Sequence, residues 1–349
     1  MHYRGPRYKA IDLFAGAGGL TEGLKQAGFD VVGAVENNTL AVETYEKNHP
    51  TTHVWSEDII KLSGNKMRRA LGLRRGELVL LAGCPPCQGF STMRTGNGSR
   101  KIEDPQNDLI YHFLRFVGAF RPRTIMMENV PGLAADERFN VFRSTLERIG
   151  YRVDAKIQDV ADHGVPQRRH RLILLAGRGT VINFAKPLKR KTFVRQAFRG
   201  LAQPHRSKDN LHNVKEKRSD KVMAFIKDIP KDGGSRLDLG IDRQLECHKK
   251  LNGYKDVYGR MAWDDVAPTI TTGCFNPSKG RFLHPVQNRC ITLREAALLQ
   301  SFPPRYSFSL KGGKTGVATM IGNALPPKFI RRHATKIRQF LMTMNKRAA

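Results

Sequence analysis

Apolar residues recur along the first half of the chain in two alternating patterns. Short continuous apolar runs at residues 9–14, 31–35, 78–82 and 124–127 read as buried strands of a parallel sheet. Between them the apolar spacing becomes helical. Leu20, Leu24 and Ala27 share one face, with Gly28 as the stop; Leu40, Val42 and Tyr45 form a second stripe. Leu109, Phe113, Phe116, Val117 and Phe120 form a third, and Phe139, Phe142, Leu146 and Ile149 a fourth. Residues 54–59 predict another strand ending in an acid, and 151–160 and 171–176 two more strands. Strands alternating with helices predict an α/β fold built on a doubly wound sheet.

The rhythm is lost near Ala185. Residues 186–221 hold twelve Lys and Arg against three Asp and Glu, and Gly, Asn and Pro are frequent up to about Pro285. This texture predicts a second, smaller, irregular and basic domain over 186–285. The discontinuous remainder, 1–185 plus 286–349, is expected to form the main domain. Order returns at Thr292, which with Glu295 three residues on makes a capping box for a helix. A last amphipathic helix carries Phe329, Ile330, Ile337, Phe340 and Leu341.

The strand ends hold the candidate chemistry. After 9–14 comes Ala15-Gly16-Ala17-Gly18-Gly19, a turn where backbone can approach a ligand closely. Its spacing departs from G-x-G-x-x-G, and no lysine follows as in a P-loop. Glu36 ends the next strand twenty residues beyond Gly16, where a ribose-binding acid is expected. Asp58 ends another. Carboxylates there would repel a phosphate; they suit a ligand with hydroxyls, an amine and positive character. S-adenosylmethionine fits better than NAD or ATP.

After 78–82 comes Gly83-Cys84-Pro85-Pro86-Cys87-Gln88. Two prolines stiffen the turn and end the strand, so Cys87 is presented at a strand's carboxyl end, where open α/β sheets keep their ligands. Cys84 is expected to be its buried structural neighbour. Zinc is disfavoured because no further ligands stand at short spacing, and a redox pair lacks its usual context. Glu128 at the end of 124–127 reads as a proton donor beside Cys87. Arg169 and Arg171 alternate, so a strand would aim both to one side. His163 and His170 are read as non-catalytic. The polar, glycine-containing segment 92–106 reads as a functional loop.

Charge narrows the partner. The 349 residues carry 60 Lys and Arg against 31 Asp and Glu, a net +29, which points to a polyanion, nucleic acid before an acidic membrane. No apolar run is long enough to span a membrane, and no signal peptide is expected at the start. Five cysteines, an odd number, argue against a disulfide framework and for a reducing cytoplasm.

These pieces together resemble the DNA cytosine-5 methyltransferases over nearly the whole chain, in order. Asp12 through Gly19 is similar to the family's cofactor loop, Pro85-Pro86-Cys87-Gln88 to its nucleophile motif, and Glu128-Asn129-Val130 to its acid motif. Gln167-Arg168-Arg169-His170-Arg171 resembles its arginine motif and Gly322-Asn323-Ala324 its last cofactor motif. Leu293 through Pro303 supplies the remaining block. His170 stands where members often carry an acid, and Ala324-Leu325 where valine or similar is common.

The resemblance implies a Rossmann-like methyltransferase domain with a target-recognition domain, S-adenosylmethionine as methyl donor, and double-stranded DNA as substrate. Cys87 would attack C6 of a flipped cytosine, Glu128 would hold N3 and the amine, Arg171 would bond O2, and Arg169 would support it. Phe14, Ala15, Gly16, Gly18, Gly19, Glu36, Asn37, Asp58, Ile59, Pro86 and Asn323 are expected at the cofactor. Thr269 to Gly273 is the first place to look for base reading. A monomer is expected, with a cognate restriction endonuclease as functional partner. Three alternatives stand beside this reading: a tRNA methyltransferase of the same fold, a catalytically inactive DNA-binding relative, and a zinc-dependent nucleic-acid module. Gly89-Phe90-Ser91 after the Cys-Gln pair favours DNA over tRNA.

Overall fold

A seven-stranded sheet organises the first of two units. In the computed structural model, which describes residues 8–86, 108–213, 217–240 and 256–348, the strands run in the order β3-β2-β1-β4-β5-β7-β6. They are β1 (Tyr8–Leu13), β2 (Phe29–Val35), β3 (His53–Trp55), β4 (Leu80–Gly83), β5 (Thr124–Asn129), β6 (Tyr151–Asp159) and β7 (His170–Arg178). The first five pair in parallel, and β7 is inserted antiparallel between β5 and β6.

The order reverses at β1, whose neighbours are β2 on one side and β4 on the other. The chain segments leaving β1 and β4 therefore diverge at the sheet's carboxyl edge, the usual ligand crevice of an open α/β sheet. The doubly wound reading holds. β3 is shorter than expected: pairing stops at Trp55, so Asp58 lies in the turn beyond rather than at a strand end. β5 is longer, and Glu128 is its penultimate residue.

The helices follow from the apolar stripes. α1 (Gly19–Gln26), α2 (Thr39–Asn48), α3 (Gly64–Ala70), α4 (Leu109–Phe120) and α5 (Glu137–Arg148) each bury one face. Phe113, Phe116, Val117 and Phe120 of α4 join Phe142 and Leu146 of α5, Ile11 and Leu13 of β1, and Ile125 and Met127 of β5 in one core. Asn38 and Ser63 cap α2 and α3 through side-chain oxygens.

The second unit takes the described residues of 164–169 and 188–324, and the first those of 1–163, 170–187 and 325–349. This division differs from the change of texture in the sequence. Residues 286–324, expected with the main domain, make their contacts within the second unit. The cause is visible in Gln167, whose amide donates to Gln300 Oε1 and whose oxygen accepts from Ile270 N–H at 2.8 Å. The second unit is built of short helices, α6 (Val194–Ala197), α7 (Asp220–Asp228), α8 (Leu293–Leu299) and α9 (Gly313–Asn323), and much irregular chain. Arg260, fully buried there, donates to the carbonyls of Ile226, Ile229, His284 and Gln287. The capping box of α8 is present: Glu295 N–H donates to Thr292 Oγ1 and Thr292 N–H to Glu295 Oε2.

The chain returns to the first unit in α10 (Pro327–Ala348), which lies along α1. Gly23 makes that approach possible: a Cβ there would meet Ile330 Cβ and the Pro327 carbonyl at 2.6 Å.

Candidate active site

The turn after β1 is wound in a conformation that few side chains tolerate. Phe14, Gly16 and Gly18 have φ of 61°, 54° and 88°. A positive φ at phenylalanine is costly and points to a position held for function. The turn is closed by Gly18 N–H to the Ala15 carbonyl, and Ala15 N–H donates to the Val35 carbonyl of β2. A Cβ built on Gly16 would meet no atom within 4 Å, so open space lies above the backbone there.

Glu36 borders this space. Its Oε2 accepts from Gly16 N–H at 2.8 Å, and its Oε1 from the amides of Asn37 and Asn38. Three backbone donors thus fix the carboxylate without an arginine or lysine. Asp58 is held in its turn by Ile60 N–H, which donates to Oδ1 at 2.9 Å. Arg115 of α4 braces the same turn through the carbonyls of Ile59 and Ile60. Glycine turn, Glu36 and Asp58 therefore follow β1, β2 and β3 along one sheet edge, an acidic border suited to hydroxyl and amine groups.

Beneath the turn lies a polar chain that the sequence pattern did not single out. Asp12 is fully buried in β1; Thr21 Oγ1 donates to its Oδ2 at 2.7 Å and lies 2.8 Å from Tyr45 Oη. Asp12 Oδ1 has no hydrogen-bond partner. Burial pushes this carboxyl up to about 7, against the opposing hydrogen bonds from Thr21, and the nearby Glu36 charge adds to the rise. His49, buried at the end of α2, hydrogen-bonds the Gly18 backbone, and burial pushes its imidazole down to about 3, so it stays neutral. The available signal was an acid inside an apolar run, Ile11-Asp12-Leu13.

The second half of the site follows β4 and β5. Cys84, Pro85 and Pro86 leave β4 as an arm. Cys84 N–H donates to the Leu13 carbonyl at 3.3 Å, and Asn129 Nδ2 donates to the Pro85 carbonyl at 2.9 Å. Cys87 and the 92–106 loop lie outside the described residues. Glu128 is buried, with Arg171 Nε 2.7 Å from its Oε1, an ion-pair contact not aligned as a hydrogen bond. Cys84, expected to be an inert neighbour, donates its thiol to Glu128 Oε2 at 2.8 Å.

Arg171 reaches Glu128 because β7 runs antiparallel to β5. Glu128 pairs with Ile173 and Asn129 with Leu172, so the start of β7 meets the end of β5. Arg169 does not share this placement, contrary to the alternation expected from the sequence. It precedes β7 and is buried in the second unit, where its guanidinium donates to the Ile270 and Gly322 carbonyls at 3.0 and 2.9 Å. Thr269 Oγ1 donates to the Arg168 carbonyl in the same cluster, and Asn323 lies exposed at the end of α9. His163 is buried against Phe329 and His333. Among the described residues, no cluster of His, Cys, Asp and Glu could hold a metal ion, Cys84, Cys274 and Cys290 form no disulfide, and no helix is long and apolar enough to cross a membrane.

Residues 8–339 match the C-5 cytosine-specific DNA methylase family. The chain is a member of that family. Type II methylase M.HgiDII of Herpetosiphon aurantiacus is 37% identical over 354 residues, covering 97% of each chain. Type II methyltransferase M.XorII of Xanthomonas oryzae is 31% identical, with 92% of this chain and 82% of that one covered. Among solved structures, S. pombe Dnmt2 methyltransferase matches with a TM-score of 0.60 at 20% identity, over 97% of this chain and all of that one. The fold is accordingly the Rossmann-like fold of the cytosine methylases.

Proposed function

We propose that this methylase transfers a methyl group from S-adenosylmethionine to C5 of a cytosine flipped out of duplex DNA. The ion pair of Glu128 with Arg171, set beside the Pro85–Pro86 arm, carries the reading. Those two side chains offer a carboxyl and a guanidinium to the edge of one planar base, and the arm leads directly to a cysteine.

The residues fit the cofactor. The space over Gly16, the strained Phe14 and the carboxylate of Glu36 suit an adenosine; Glu36 would hold the ribose hydroxyls, and Phe14 and Asp58 the adenine. Ala15, Gly18, Gly19, Asn37, Ile59 and Pro86 would line the same cradle. When bound, S-adenosylmethionine supplies an electrophilic methyl group.

The chain's own residues do the rest. Cys87 adds as a thiolate to C6 of the cytosine; a free thiol has a pKa of about 8.5, so its proton must leave as the bond forms. Glu128, a carboxylate beside Arg171, takes up a proton as Cys87 gives one up and shares it with N3, which draws electrons from C6. Arg171 binds O2 and stabilises the charge that grows on it. C5 becomes a carbon nucleophile; with S-adenosylmethionine bound it would accept the methyl group, and S-adenosylhomocysteine would leave. Loss of the C5 proton and expulsion of Cys87 then restore the aromatic ring. Asn129 positions the Pro85 carbonyl, hence the arm, and does not react. Arg169 supports the site by tying the chain before β7 to Ile270 and Gly322. Flipping costs a few kcal/mol. The basic stretch 186–285 supplies phosphate contacts and target reading. The Type II relatives support a modification role beside a cognate endonuclease.

Expression in a host lacking cytosine methylation, followed by bisulfite sequencing, tests this directly. Modified cytosines in one duplex sequence are expected, and none with Cys87→Ala. Methylation confined to tRNA, or a wild-type protein forming no adduct with 5-fluorocytosine DNA, would overturn it.

A further inference from the structure

Glu128 is gripped on both carboxylate oxygens before any base arrives. Arg171 Nε stands at Oε1, and the Cys84 thiol donates to Oε2 at 2.8 Å. The two strand ends that bring Cys84 and Glu128 together are neighbours in register: Gly83 pairs with Met127, and the next residues on each strand are Cys84 and Glu128. Cys84 cannot drift, because its own N–H is bonded to the Leu13 carbonyl and the following Pro85 carbonyl accepts from Asn129.

We propose that Cys84 is a positioning residue for Glu128, fixing the plane of its carboxyl group for the cytosine edge. The inference rests on the role given to Glu128 above. The physical need is specific to this side chain. The last torsion of a glutamate is broad and roughly two-fold, so backbone and rotamer preference leave the carboxyl plane undetermined. Partners must set it. Arg171 supplies a charge at one oxygen, but its ion-pair contact lacks hydrogen-bond alignment and constrains direction weakly. A directional donor at the other oxygen completes the restraint. Cys84 serves because a neutral thiol donates without adding charge and its small size fits the rung between two strands. The two cysteines of the C-x-x-C thus divide the work: Cys84 spends its proton on the acid, and Cys87 carries the covalent step.

Cys84→Ala and Cys84→Ser separate this from a packing role. Serine keeps a donor on the same carbon; alanine does not. With Cys84→Ala, the single-turnover methylation rate should fall about tenfold, the scale of one modest charge-assisted hydrogen bond. KM for DNA and affinity for S-adenosylmethionine should hold, and Cys84→Ser should recover most of the rate. An alanine variant as fast as wild type, a loss that serine does not mend, or a loss expressed in KM alone overturns the proposal. A readout independent of activity is the infrared S–H stretch. The band lost on Cys84→Ser should sit below the free-thiol frequency; a band at that frequency also overturns the proposal. A wild-type protein that fails to trap 5-fluorocytosine DNA would instead overturn the catalytic reading of Glu128, so the two failures are distinguishable.

Discussion

The Gly16 backbone N–H donates to Glu36 Oε2 across 2.8 Å, joining the turn after β1 to the acid that follows β2. In the proposed cofactor site the bond would make Glu36 both a wall and the clasp that keeps the turn in shape. Glu36→Ala should therefore weaken S-adenosylmethionine binding about 10- to 100-fold, from the loss of charge-assisted hydrogen bonds to backbone and ligand. Affinity for DNA without cofactor should not change. Isothermal titration checks both; an unaltered cofactor affinity would remove Glu36 from the site.

Asp12 makes stability depend on pH. Its folded value of about 7 lies above the ordinary 3.8, so the folded state binds the proton more tightly than the unfolded chain. The contribution is present in full below about pH 4, declines as the pH rises toward 7, and is absent above. Asp12→Asn keeps the polar chain but removes the ionisation. Denaturation series at pH 5 and 8 should show wild type losing stability across that interval and Asp12→Asn losing less.

Arg169 and Arg171 should respond differently to alanine. Arg169 is buried against two carbonyls, so its loss leaves acceptors unpaired and should destabilise the protein by about 2–4 kcal/mol in chemical denaturation. Arg171 is partly exposed at the sheet edge. Its loss strips the buried Glu128 carboxylate of its counter-charge, so it should cost stability as well, and it should lower the methylation rate by about two orders of magnitude. Equal losses of methylation rate in the folded fraction of the two variants would contradict this division.

Two glycines offer opposite outcomes on the same substitution. Gly23→Ala drives a methyl group into Ile330 and the Pro327 carbonyl, and should cost about 1–3 kcal/mol by prying α10 from α1. Gly118 lies in α4, where an added Cβ meets nothing within 4 Å; Gly118→Ala should stabilise by about 1 kcal/mol through helix propensity. Thermal melts of the pair check both signs.

Much of the frame was legible in the chain because its signals are local. A continuous apolar run marks a buried strand, and a stripe every three or four residues marks a helix over it. An acid or glycine turn directly after a run must then fall at the sheet edge. β1 with its glycine turn, β2 with Glu36, β4 with the proline arm and the capping box at Thr292 are all set by neighbours a few residues apart. Asp58 was displaced because three residues of pairing sufficed for β3 and the rest of that run turned away.

What tertiary structure alone decided depends on which distant strands lie side by side. Periodicity says nothing of strand order or direction. Only the antiparallel entry of β7 beside β5 brings Arg171 to Glu128, and only its start at His170 separates Arg171 from Arg169. The same holds for residues 286–324, whose contacts within the second unit were hidden behind a basic texture. It holds most of all for Cys84. The sequence placed it three residues before the predicted nucleophile; the pairing of β4 with β5, forty-four residues apart at Cys84 and Glu128, put its thiol on the acid. Local chemistry names the groups at a strand end, but the ladder between strands determines which of them touch.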